Sequence, residues 1–119
     1  MLEKIAIDDL QMNPVTKFGL EWAALVSGSA DALHDAMTIS WGQMGSLWER
    51  RGDGTPQRGL STVTVFVRPQ RYTHELMEHN DHFSVCFLGE GHRRELGYLG
   101  AKSGRDGDKL DHLKLTAID

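Results

Sequence analysis

The sequence has little of what would narrow its role at a glance. Its 119 residues hold a single cysteine, Cys86, and three prolines. One cysteine can form neither an intramolecular disulfide nor a zinc quartet, so a reducing, cytoplasmic setting is expected. No apolar run approaches the roughly 20 residues needed to cross a bilayer. The opening Met1-Leu2-Glu3-Lys4-Ile5, followed by Asp8 and Asp9, has neither the basic start nor the apolar core of a signal peptide. A basic excess is missing too: 13 Lys+Arg face 17 Asp+Glu, for a formal net charge of −4. That lacks the phosphate-neutralising surplus of a nucleic-acid-binding module. No repeat, linker or domain boundary divides the chain.

What is present describes one domain spanning residues 1–119. At 39% hydrophobic the chain is too apolar for a disordered tail. It is also long enough to bury about two thirds of its unfolded surface without disulfides or a structural metal. Charge is uneven along it. Residues 1–48 carry two bases, Lys4 and Lys17, against six acids, whereas from Glu49 onward there are eleven of each. The later bases gather in two stretches, Arg68–Arg71 and Arg93–Lys109.

Periodicity and punctuation predict a mainly β chain with short helices, an α+β fold. Glu21–Gly28 is apolar, short and closed by glycine, which reads as a strand entering a turn. Ala36–Trp41 alternates Met37, Ile39 and Trp41 with Thr38 and Ser40, giving one apolar face and one hydroxyl face. Thr62–Val67 consists of β-branched residues and Phe66, a strong strand signal that Pro69 ends. Phe83–Leu88 makes a fourth strand. Helices are predicted over Thr73–Asn80, His92–Leu99 and Asp106–Leu115. Arg50–Gly59, rich in glycine, reads as a solvent loop.

Most catalytic vocabularies fail on spacing. His74 and His79 stand at i and i+5, about 140° apart around a helix, where a zinc-protease motif needs i and i+4. They read as surface histidines, and no metal site is expected. There is no Gly-x-Ser-x-Gly, and Cys86 sits in an apolar strand where a thiol is ordinarily inert packing. Gly89 and Gly91 begin a dinucleotide fingerprint that Arg94 breaks. Gly97–Ser103 approaches a P-loop, but Ala101 occupies its second glycine position. What survives is a vocabulary for anions: Arg68 and Arg71 with Tyr72 and Thr73 at a strand-to-helix junction, and Lys102, Ser103 and Arg105 before a second helix start. Each segment also has a plainer reading, as solvated arginines and as a Ser103 cap.

Three stretches taken in order, Met37–Gly45, Val67–Thr73 and Leu99–Asp106, resemble the flavin reductase family, and within it the flavoredoxin-like branch. The resemblance runs from about Trp22 to Lys109. It implies an FMN-binding split β-barrel that acts as a homodimer, taking a hydride from NADH or NADPH and passing electrons to a small-molecule or protein acceptor. Carried over by position, it assigns Asp35, Met37, Thr38, Ser40 and Trp41 to the isoalloxazine and ribityl parts of FMN. It assigns Arg71, Tyr72, Thr73, Lys102, Ser103 and Arg105 to the phosphate end. No catalytic acid or base is then required, because the chemistry belongs to the flavin.

This sequence departs from the family pattern in three places. Asp35 stands where members often carry Asn, so an acceptor replaces a group that could also donate. Arg50–Gly59 reads as an insertion beside the cofactor face. The chain stops at Asp119, where relatives run on into strands that close the barrel. A barrel ending there would leave unpaired edges that invite association. The second reading is therefore a shortened, non-catalytic relative acting as a flavin-binding or protein-interaction module.

Overall fold

The computed structural model describes residues 2–48, 52–53 and 59–116. It contains five strands: β1 (Ala23–Gly28), β2 (His34–Ile39), β3 (Gly42–Leu47), β4 (Leu60–Val65) and β5 (Phe83–Cys86). Four helical segments accompany them: α1 (Pro14–Thr16), α2 (Tyr72–Glu78), α3 (Arg93–Ala101) and α4 (Lys109–His112). The strands form two antiparallel sheets, one ordered β2-β1-β5 and one a β3-β4 hairpin. Among the described residues these sheets do not close into a barrel. The α+β class is as expected.

The three-stranded sheet is the centre because both its faces are covered. The register pairs Leu25 with Met37 and Ala23 with Ile39, so these four share one face. There they pack with Phe18, Val65, Met77 and Phe87 into one apolar cluster. Ala24 and Ala36 point the other way, onto Leu96 and Leu99 of α3 and Leu110 of α4. Small alanines on that face let the helices approach closely. Leu96 and Leu99 are fully buried by the contact, each contributing about 1.5–3 kcal/mol relative to exposure.

The N-terminal part was not legible from periodicity. Asn13 caps α1 by accepting from the backbone N–H of Val15 at 3.0 Å, with Pro14 at the first helical position. A wider helical turn, Lys17–Glu21, follows and turns Phe18 into the core. Several expectations shift: β1 begins at Ala23, β2 runs from His34 to Ile39 and leaves Ser40 and Trp41 just past its end, and β5 stops at Cys86. β4 begins at Leu60 and ends at Val65, so Phe66 and Val67 lead out of it. β3 was not anticipated at all, since two glycines and no β-branched residue hide it; it forms because Met44 pairs with Val63 across the hairpin. The expected helix over Asp106–Leu115 resolves into a short turn at Gly104–Asp106 and α4, capped by Asp108. Of the expected loop Arg50–Gly59, all but Gly52, Asp53 and Gly59 lies outside the described residues.

Candidate functional site

β2 is an edge strand of its sheet, and two recesses of the surface open at its C-terminal end. A cleft of about 340 Å³ is lined there by Met37, Ser40, Trp41, Phe66, Arg68 and Arg71. A second, of about 360 Å³, lies toward α3 and is lined by Trp22, Thr38, Ser40, Leu96 and Gly100. Thr38 and Ser40 belong to both clefts. Within β2 the alternation turns Met37 and Ile39 to the core cluster and Thr38 toward α3, and Ser40 and Trp41 follow just past the end of the strand.

Each cleft residue has a definite state. Trp41 is 54% exposed and presents aromatic surface. The Arg68 guanidinium lies over its ring at 5.3 Å, a cation–π contact at the rim. Among the described residues Arg68 has no carboxylate partner, and no Asp or Glu lines this cleft, so it favours anions. Thr38 differs from expectation. Its Oγ1 donates to the Leu96 carbonyl of α3, which leaves the hydroxyl only its acceptor capacity. Gly100 faces it so closely that a Cβ there would sit 3.3 Å from the Thr38 Cβ, so the narrow contact between α3 and β2 depends on that glycine.

Trp22, which sequence reasoning did not single out, lines the second cleft with φ of 66°. Such a backbone costs a bulky residue about 1–3 kcal/mol unless its surroundings enforce it. Here Arg93 enforces it, stacking 3.6 Å from the Trp22 ring and donating to the Leu20 carbonyl at 3.0 Å. The nearest sequence signal was an aromatic residue at a strand entrance, which is common.

Beneath the first cleft lies a buried charge cluster. Asp35 of β2 and Lys109 of α4 are each 3% exposed at the side chain and pair at 3.3 Å. Asp35 also accepts from Thr73 Oγ1 at 2.9 Å. Lys109 Nζ donates to the carbonyls of Leu99 at 3.2 Å and Lys102 at 3.1 Å. Burial pushes the Lys109 ammonium below the usual lysine range; the Asp35 carboxylate opposes that, and the nearby Arg71 charge adds to it.

The residues assigned by resemblance therefore divide. Met37, Thr38, Ser40, Trp41 and Arg71 come together at the clefts. Asp35 and Thr73 point inward and are bonded to each other. Ser103 Oγ accepts from the Arg105 N–H and caps the turn at Gly104–Asp106. Arg105 pairs with Glu75 and lies over the Tyr72 ring at 5.1 Å. Lys102 stays exposed; its backbone is engaged, the N–H donating to the Tyr98 carbonyl at 3.1 Å and the carbonyl accepting from Lys109 Nζ at 3.1 Å. The helix-start argument weakens at α2, which has seven residues and no side-chain cap.

His74 pairs with Glu78 at 3.7 Å, and His79 Nδ1–H donates to the Glu75 carbonyl at 2.8 Å. Among the described residues no three His, Cys, Asp or Glu side chains are grouped to hold a metal, and no helix is long and apolar enough to cross a membrane.

Residues 61–118 match the family model of the flavin reductase like domain. That span contains Arg68–Thr73 and Leu99–Asp106, while Met37–Gly45 lies before it. No curated protein and no solved structure matches the chain.

Proposed function

Since the chain belongs through residues 61–118 to the flavin reductase family, with its flavin-related function, we propose that it binds FMN at the β2 clefts. There it would serve as an NAD(P)H-dependent oxidoreductase in the cytoplasm, as a homodimer. The observation carrying this reading is the joining of two clefts through Ser40 and Thr38, with aromatic surface at Trp41 and, at Arg68 and Arg71, cations that no carboxylate pairs among the described residues. Pockets of a few hundred Å³ with few, well-placed polar groups suit a cofactor of this class.

The residues fit the group. Met37 and Trp41 offer apolar and aromatic surface for a planar ring system, and Ser40 offers a hydroxyl able to donate and accept. Arg71, with exposed Lys102 across the Gly100 turn, suits a phosphate, for which a planar guanidinium is well matched. When bound, FMN supplies hydride acceptance and onward electron transfer. The chain's own work is to bind, to orient and to limit water on the β2 side.

Dimerisation is supported by the hairpin. Leu47, Leu60 and Val63 are exposed on it, and an apolar groove of about 460 Å³ runs between it and the N-terminal segment at Ile7 and Leu10. Exposed apolar area of this kind marks association surfaces.

The test is FMN titration followed by absorbance, with the mass in solution measured alongside. Binding with flavin absorbance and a dimer mass is expected. A protein that stays colourless and does not take up FMN ends the reading. Bound FMN without oxidation of added NADH or NADPH would instead make the chain a non-catalytic flavin-binding module.

A further inference from the structure

Two arginines line the first cleft, but only Arg71 is tied into the body of the protein. Its guanidinium donates Nη1–H to the Gly100 carbonyl at 3.1 Å. Gly100 lies in the last turn of α3, and the carbonyls of Leu99 before it and of the C-terminal cap Lys102 beyond it accept from Lys109 Nζ at 3.2 and 3.1 Å. The Lys109 ammonium thus braces the helix end that carries the Gly100 acceptor of Arg71. At the backbone end, Thr73 stands two residues beyond Arg71, is 1% exposed, and donates to Asp35 at 2.9 Å. Asp35 and Lys109 pair with each other at 3.3 Å, which closes the circuit. Gly104 seals it: a Cβ there would lie 2.6 Å from the Asp35 carboxylate carbon.

The three donors of the ammonium meet three acceptors, one carboxylate and two carbonyls. An apolar residue at 109 could fill the volume but would leave both carbonyls without this partner. A buried ion pair is weak support for stability and better suited to fixing geometry. We propose that the buried Asp35–Lys109 pair is the positioning device for Arg71, holding its guanidinium in the β2 cleft for the anionic end of the flavin nucleotide. This rests on the proposed FMN site. Neither residue touches the ligand: Asp35 acts through Thr73, and Lys109 acts through the Gly100 turn.

The test removes both charges together, because the Asp35→Asn/Lys109→Met double variant keeps an acceptor for Thr73 and leaves no lone buried ion. Two readouts are taken. The first, on protein without ligand, is the NMR spectrum of the Arg71 guanidinium. Its Nη rotation is expected to be hindered in the parent chain and free in the variant; unchanged hindrance overturns the proposal.

The second readout compares FMN with riboflavin, which lacks the phosphate. FMN affinity is expected to fall about three- to tenfold, as for the loosening of a charged hydrogen bond, while riboflavin affinity holds. The loss should vanish in an Arg71→Ala background. Equal weakening of FMN and riboflavin, or a loss that persists without Arg71, overturns the proposal. Thr73→Val deletes only one hydrogen bond and should give a milder form of the same pattern, which covers a double variant that fails to fold. If the parent chain takes up no FMN, the flavin reading falls and the Arg71 spectrum alone decides the positioning role.

Discussion

The two sheets are built from similar material and end in opposite states. In the three-stranded sheet Ala23, Ala24, Leu25, Ala36 and Ile39 are all buried. In the β3-β4 hairpin no residue is, and Leu47 remains 63% exposed. Yet β4 carries a run of Thr and Val that is a stronger strand signal than anything in β1. Strand propensity describes a side chain that fits a pleated, half-covered surface, and it does not say what covers it. A lone two-stranded hairpin is marginal in water. The central sheet is held by layers on both faces, whereas the hairpin leans on Met44 and Val65 touching the edge of the core. The difference teaches that the cleft's walls are unequal: β2 is the fixed wall, and Phe66 and Arg68, at the exit of β4, belong to the looser one.

The sharpest way to break this comparison is at the buried pair on the fixed side. Lys109→Met alone strands the Asp35 carboxylate among buried groups, and should cost about 3–5 kcal/mol in urea unfolding. Asp35→Asn in the same chain should recover much of that loss. A small cost for Lys109→Met would mean that water reaches Asp35, and that the wall is less closed than its 3% exposure suggests.

Next in size is a matched pair of leucines. Leu25→Ala empties a site with no exposure and should cost about 2–5 kcal/mol. Leu47→Ala on the hairpin should stay within about 0.5 kcal/mol, as surface changes do. Should Leu47→Ala cost as much as Leu25→Ala at high protein concentration and little at low, a second copy covers the hairpin in solution.

How much of this was legible follows the same division. β2, β4 and α2 announced themselves through alternation, β-branching and Pro69, and the cleft residues Ser40, Trp41 and Arg71 were legible as the polar and aromatic residues at the ends of those elements. β3 was invisible, because Gly42 and Gly45 carry no pattern and its strand state comes from pairing with β4. The Asp35–Lys109 pair was equally hidden. Each residue looks like an ordinary surface charge in its own segment, and only the packing of α4 against β2 brings them together. Trp22 was missed for a related reason, since nothing in its segment announces that Arg93 stacks on it, while Arg68 was legible as a cation of the anion vocabulary but was not assigned to the flavin. The anion vocabulary at Thr73, Ser103 and Arg105 was legible as chemistry but not as placement: the structure uses those groups to hold its own backbone and carboxylates.

A smaller pair of effects is the most discriminating for the looser wall. Gly45 sits mid-strand in β3 with nothing within 4 Å of where a Cβ would stand, and it lines the groove toward Ile7 and Leu10. In a free chain Gly45→Ala should raise stability by about 0.4–1 kcal/mol, because it removes unfolded-state freedom at no steric cost. Gly104→Ala, the same change beside Asp35, should lower stability by about 1–3 kcal/mol through overpacking. Urea unfolding of both at two protein concentrations gives the comparison. A gain at Gly45 that is the same at both concentrations describes a hairpin open to water. A gain that shrinks or reverses as the protein is concentrated describes a groove filled by another copy of the chain, where an added methyl meets atoms that the single chain does not supply.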